Sequence, residues 1–227
     1  MNYSETIFEA GKAFGEKKAF LFDMDGLLFD TERLFMEQLA VVMWEYGYTL
    51  TREIYEETLG LNGEVLRKTM LGHFGEDYPY DAVNKKTAER TGIVAKTVGL
   101  QVKPGIRELL AWLKEQGIPC CVASSTKSET VRSYLKKSGL LTYFNEVIGG
   151  EMVEKGKPNP DIFLLACEKL NVSAKDSVVL EDSPNGIRAA FAAGCAVICV
   201  PDLKQPEGEL MEMIDYLVKP FDTNLRR

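Results

Sequence analysis

The stretch FLFDMDGLLFDTE, residues 20–32, decides how this chain is read. It begins inside AFLF, residues 19–22, an unbroken apolar run of the kind that forms a strand covered on both faces. The run ends in Asp23 and Asp25, two residues apart. Carboxylates that close repel unless a cation or a proton lies between them. A pair set at the end of a buried strand therefore implies a function.

Further apolar runs follow at 118–123 (IPCCVA), 177–180 (SVVL) and 196–200 (AVICV), with shorter candidates at 146–148 and 216–218. Helical patterns at 105–116, 128–138, 160–170 and 185–193 separate them. Such alternation predicts an α/β fold, a Rossmann-like parallel sheet with helices on both faces. Gly117, Gly139 and Gly194 stand where helix C-caps need a left-handed residue, and Pro160 and Pro184 where first-turn prolines belong. A short helix is expected over residues 5–15.

Residues 31–102 break the alternation. They are too long for a connection and contain no convincing strand. Helices are expected at 32–46, 51–58, 62–73 and 79–97. Leu34, Phe35, Leu39, Val42, Met43 and Tyr46 share one face of the first, and Val65, Leu66, Met70 and Leu71 one face of the third. The domains expected are an α/β core of residues 1–29 and 100–227 and a small helical insertion of residues 30–99. A domain inserted beside a carboxylate pair is placed to serve as a lid.

The whole chain sets bounds. Its 227 residues suit one large domain or a core with a smaller insert, and 45% apolar residues is ordinary for a globular protein. A net charge of -7 argues against nucleic acid and anionic membrane as partners. Five cysteines without a CxxC pair are expected to be reduced, buried thiols. His73 is the one histidine, so a histidine-based zinc site or a Ser-His-Asp triad lacks its material. It is read first as a contact at a helix C-terminus. The N-terminal segment lacks a signal-peptide core and no run is long enough to span a bilayer, so the expected location is cytoplasmic, as a monomer.

The unusual polar residues all fall at the carboxyl ends of expected strands, the side of an open parallel sheet that binds ligands. Asp23 and Asp25 end the first strand, Ser124, Ser125 and Thr126 the second, and Glu181 and Asp182 the fourth. Lys157 sits in the KGKPNPD loop after the third. Clustered carboxylates make a hard-oxygen site suited to magnesium. A serine hydroxyl donates to a phosphoryl oxygen, and a lysine adds charge without demanding planar geometry. Backbone N–H groups around residues 24–26 are placed to hold the remaining oxygens. One carboxylate attacks phosphorus while the other serves as acid and base. Ser125 or Thr126 is the expected cap of the following helix, with Ser124 turned to phosphate.

The motifs DMDGLLFDT, VASST, KGKPNPDIF and LEDSPNGIRAAFAAG resemble, in order and spacing, the four motifs of the haloacid dehalogenase-like superfamily, and the insertion resembles its first type of cap. The resemblance implies that Asp23 is a nucleophile forming a phospho-aspartate and that Asp25 is the general acid/base. It implies magnesium on Asp23, on Asp182, on the backbone carbonyl of Asp25, and with help from Glu181. Ser124 and Lys157 would hold the phosphoryl group, assisted by Ser125. Gly26 would permit the close turn, with Asp30 and Thr31 at the hinge.

Asp25 itself narrows the choice. Transporter ATPases of the superfamily would carry threonine there, and dehalogenases and phosphonatases would lack the second aspartate. Hydrolysis of a small phosphomonoester, such as a sugar phosphate, is the expected activity. The alternative is a beta-phosphoglucomutase-type transfer. Those mutases usually have a histidine near the place of Phe35, which counts against it. Arg67 is placed either to meet a distal phosphate or sugar acid or to face solvent. A decayed interaction module would have lost one of Asp23, Asp25, Lys157 or Asp182, and all four are present.

Overall fold

The computed structural model describes residues 2–4, 6–58, 61, 63–202 and 205–219. It divides into two compact units, Met1–Asp30 with Gln101–Arg227, and Thr31–Leu100.

Among the described residues the first unit is built on a parallel sheet of seven strands: β1 (Asn2–Ser4), β2 (Ala19–Phe22), β3 (Cys120–Ala123), β4 (Glu146–Ile148), β5 (Ser177–Glu181), β6 (Ala196–Cys199) and β7 (Tyr216–Val218). Their order is β1-β7-β6-β5-β2-β3-β4, which places β2 between β5 and β3 near the middle. Successive side chains of a strand point to opposite faces. Leu21, Cys121, Val179 and Val197 join a core with Phe163 and Ala166 of α8 (Asp161–Leu170) and Ile187 and Ala190 of α9 (Pro184–Ala193). Phe20, Phe22, Val122, Val178 and Leu180, the alternate set, are equally buried, and Phe22 meets Phe144 edge-on. Burial on both faces is why these strands read as continuous apolar runs.

The remaining helices of this unit are α1 (Ile7–Lys12), α6 (Ile106–Glu115) and α7 (Ser128–Lys137). Thr6 caps α1 by accepting the Glu9 N–H, and Gly11 lets the helix close on α6, since a Cβ there would collide with Leu109. Strand β1 has no counterpart in the expected elements. Its three residues are too short for a periodic signal, and pairing with β7 alone defines it. Pro160 stands one residue earlier than expected, at the N-cap of α8, while Pro184 opens α9.

The second unit contains α2 (Thr31–Glu45), α3 (Arg52–Thr58), α4 (Gly63–Phe74) and α5 (Tyr80–Thr97). Leu39, Val42 and Met43 bury the face expected of α2. In α4 only Met70 of the expected face is buried, and Val65 is 58% exposed. A unit this small has too little interior to cover every apolar stripe. Tyr48, Phe74 and Tyr78 form a mutual ring cluster with centroids 5.0–5.8 Å apart. His73 pairs with Glu57 at 2.8 Å in the last turn of α4 rather than meeting a helix carbonyl. All five cysteines are buried and free of disulfides, and among the described residues no helix is long and apolar enough to cross a membrane.

Candidate active site

Three parallel strands end side by side. Phe22 is in register with Leu180 of β5 and Val122 of β3, so the residues just beyond them emerge at one edge. Asp23 leaves β2 with its N–H on Leu180 O at 3.1 Å, and Ser124 leaves β3 with its N–H on Ile148 O at 3.1 Å. Glu181 closes β5, and its carbonyl accepts the Val200 N–H at 2.8 Å.

Lys157 joins these ends. Its ammonium donates to Asp23 Oδ1 at 2.5 Å, Glu181 Oε1 at 2.6 Å and the Ala123 carbonyl at 3.1 Å. The side chain is 6% exposed, and its Nζ lies 4.9 Å from the Phe163 ring centroid. Burial by itself would lower the lysine's pKa. Asp23 and Glu181 outweigh it, so the ammonium titrates above its ordinary value and stays charged. Asp23 moves the other way. Burial raises its carboxyl from 3.8 to about 7, against the pull of Lys157 and with help from the charges of Glu181 and Asp25.

Glu181 has both oxygens occupied. Oε1 takes Lys157, and Oε2 accepts the N–H of Asp182 and of Ser183 at 2.9 Å each and the Ser183 hydroxyl at 3.0 Å. It lies over Gly186, where a Cβ would occupy its place. Its oxygens hold Lys157 and the turn into α9. Ser183 caps that helix through the Gly186 N–H at 3.1 Å.

Asp182 contrasts with it. Its Oδ1 is buried without a hydrogen-bond partner, and its carboxylate lies against Gly26, where a Cβ would collide with it. Gly26 has φ +78°, so the loop needs glycine both for its backbone and for this contact. Burial, then the charges of Glu181 and Asp23, push the Asp182 carboxyl well up. A cation would relieve both strains. Among the described residues no three His, Cys, Asp or Glu side chains form a metal-ready group. The hard oxygens the geometry brings near one another are the carboxylates of Asp23 and Asp182, the first raising the second through its charge. This hard-oxygen set fits magnesium.

Asp25 Oδ2 accepts the hydroxyl of Thr126 at 2.9 Å. Ser124 is fully buried, and its Oγ accepts the Thr126 N–H at 3.0 Å, which leaves the Ser124 hydroxyl hydrogen for another acceptor. Ser125 is exposed beside it. Neither Ser125 nor Thr126 caps α7. The Ser128 N–H donates instead to both carboxylate oxygens of Glu151, at 3.0 and 3.1 Å. The Gly26 N–H is spent on Phe29 O at 3.1 Å, which holds the loop after β2 rather than a ligand.

Three residues carried no sequence signal of their own: Glu151 and the buried pair of Lys103 with Asp202. The last pair meets at 2.7 Å, with side chains 7% and 12% exposed. The Lys103 N–H is bonded to Leu28 O at 3.0 Å, and its charge opposes the rise at Asp182. Thr126 was expected at this strand end as a candidate cap, and its contact with Asp25 is the part that only the fold supplies. Arg67 lies in the second unit. Its Nη1 reaches Asp81 at 2.8 and 3.0 Å, and its guanidinium stacks 5.5 Å from the Tyr80 ring centroid.

Residues 20–200 match the haloacid dehalogenase-like hydrolase family, and the chain belongs to it. Within that family it is related to the group of beta-phosphoglucomutases and sugar-phosphate phosphatases. It is 37% identical over 188 residues to the Drosophila melanogaster "Probable pseudouridine-5'-phosphatase", covering 80% of each chain. It is 33% identical over 177 residues to a "Phosphorylated carbohydrates phosphatase" of Thermotoga maritima, covering 78% of this chain and 82% of that one. A solved structure from Thermotoga maritima, described as a "putative beta-phosphoglucomutase", superimposes with TM-score 0.73 at 32% identity, over 89% of this chain and 94% of that one.

Proposed function

We propose that this protein hydrolyses a small phosphomonoester, a sugar phosphate or similar metabolite, through a phospho-aspartate on Asp23 with magnesium bound. The observation that carries the reading is the buried Asp23 carboxylate clasped by Lys157 at the end of the central strand β2. Lys157 holds the nucleophile in one orientation and supplies positive charge where phosphoryl oxygens would gather. The Ser124 hydroxyl, its lone pair engaged by Thr126, donates to one of those oxygens.

Asp23 attacks phosphorus while Asp25 gives its proton to the leaving oxygen. Asp25 then takes a proton from water, which attacks the phospho-aspartate and restores Asp23. The carboxylates of Asp23 and Asp182 and the Asp25 carbonyl would hold the magnesium ion. When bound it supplies charge that offsets repulsion among carboxylates and phosphate. Glu181 acts through Lys157 and the turn.

Similarity to a phosphatase of phosphorylated carbohydrates supports the substrate class. Likeness to the structure described as a mutase keeps phosphoryl transfer to a sugar as the competing outcome. Phe35, where those mutases are expected to have histidine, weighs against it.

The test is phosphate release from a panel of small phosphomonoesters, with magnesium and with chelator. Magnesium-dependent release from one class of ester is expected. Conversion of beta-glucose 1-phosphate to glucose 6-phosphate without net phosphate release would overturn hydrolysis. A chain inert toward every ester and unable to bind magnesium would overturn the enzyme reading.

A further inference from the structure

Thr126 is fixed by its backbone on both sides. Its N–H donates to Ser124 Oγ at 3.0 Å, and its carbonyl accepts the Gly150 N–H at 3.2 Å. Gly150 lies so close to the Ser125 carbonyl that a Cβ would not fit, so this turn has little room to shift. Threonine is β-branched and stiff about its first side-chain bond. A rigid hydroxyl on a pinned backbone therefore meets Asp25 Oδ2 at 2.9 Å, across 101 residues of sequence. Asp25 sits on the loop after β2, and its side chain has two rotatable bonds of its own.

Resting on the reading of Asp25 as acid and base, we propose that Thr126 is a positioning residue that aims the Asp25 carboxyl at the leaving-group oxygen. The hydroxyl donates to Oδ2 and so fixes the direction of the carboxyl that carries the transferable proton. In the first step the Asp23 oxygen–phosphorus bond forms, the phosphorus–leaving-oxygen bond breaks, and the Asp25 proton passes to the leaving oxygen. In the second, a water proton returns to Asp25 as the water oxygen bonds phosphorus and Asp23 departs. Ester and water become alcohol and phosphate, with no other reactant. Through its N–H and hydroxyl together, Thr126 ties the phosphoryl-binding serine to the acid.

An alkoxide leaves poorly without a proton, whereas 4-nitrophenolate leaves well without one. A misaimed acid therefore slows alkyl esters selectively, and a merely structural defect slows both alike. The experiment compares Thr126→Val and Thr126→Ser with the native protein on glycerol 2-phosphate and 4-nitrophenyl phosphate, with magnesium present.

Thr126→Val is expected to lower kcat on the alkyl ester about tenfold or more, a part of the acid's usual contribution, and on the aryl ester less than about threefold. Thr126→Ser keeps the hydroxyl and is expected to recover most of the alkyl rate. Thr126→Ala carries the same comparison if the valine variant does not fold. Equal losses on the two esters, no loss on either, or no recovery with serine would overturn the proposal. Asp25→Asn separates it from the reading beneath. If that variant also fails to discriminate between the esters, Asp25 is not the acid. If it discriminates while Thr126→Val does not, only the positioning role fails.

Discussion

Lys157 Nζ lies 2.5 Å from Asp23 Oδ1, although 134 residues of chain separate them. The lysine comes from the loop before α8 and the aspartate from the end of β2, and the same ammonium reaches Glu181 at 2.6 Å. Two acids thus share one buried cation. Removing one partner of such a group leaves charge in a medium that cannot solvate it. Lys157→Met is expected to cost about 3–5 kcal/mol of stability, in addition to most of the activity. Chemical denaturation checks it, and an unchanged midpoint would remove the ion cluster from the fold's support.

Asp23→Asn removes the nucleophile while keeping its shape. Turnover is expected to fall by more than about 10³-fold, the scale of losing a covalent nucleophile. Phosphate release checks this, and magnesium-dependent residual activity above a tenth of the native rate would exclude Asp23 as the attacking group.

Asp23 also makes stability depend on pH. Its carboxyl is raised from 3.8 to about 7, so between those values the folded protein keeps a proton that the unfolded chain has lost. Its contribution to stability is greatest at the acid end and is lost as pH climbs toward 7. The melting temperature of metal-free protein, compared with Asp23→Asn, is expected to decline across that window. Magnesium binding there is expected to release protons, and to release fewer above about pH 7 as the carboxyl ionises by itself. Calorimetry in buffers of different ionisation enthalpy measures the release. A proton count that does not vary with pH would contradict the raised carboxyl.

Gly26→Ala combines two penalties, a left-handed backbone and a Cβ in the place of the Asp182 carboxylate. A loss of about 1–3 kcal/mol is expected from the strained backbone, with weaker magnesium binding because Asp182 is displaced. Native cation affinity in this variant would show that Asp182 does not hold the ion.

Arg67 is paired with Asp81, but the pair is exposed, with side chains 41% and 78% accessible. Exposed ion pairs contribute little, so the pair by itself does not commit Arg67 to a structural role. As a substrate contact, Arg67→Met is expected to raise KM severalfold and leave kcat unchanged. An unaltered KM would leave Arg67 only as a clasp between α4 and α5.

Much of this was written in the sequence. Continuous apolar runs marked β2, β3, β5 and β6 because strands buried on both faces need no polar positions. Motif order placed Asp23, Asp25, Ser124 and Asp182 at strand ends and Lys157 in the loop that follows one, and a parallel sheet brings those ends to one edge whatever the strand order. The helices of the insertion were visible, but their buried faces were less so, because Val65 carries the same apolar signal whether covered or exposed.

The tertiary structure alone decided the rest. Order along the chain does not encode order across the sheet, so the position of β2 between β5 and β3 came from packing. Strand β1 exists through its partner β7. The sequence placed Glu181 and Asp182 side by side at one strand end. The fold fills both oxygens of the first and leaves Oδ1 of the second buried without a hydrogen-bond partner. The sequence determines which charges are present. Hydrogen-bond donors determine which of them stay available: the turn itself and Lys157, 24 residues away, fill Glu181, and the same lysine reaches Asp23 across 134 residues.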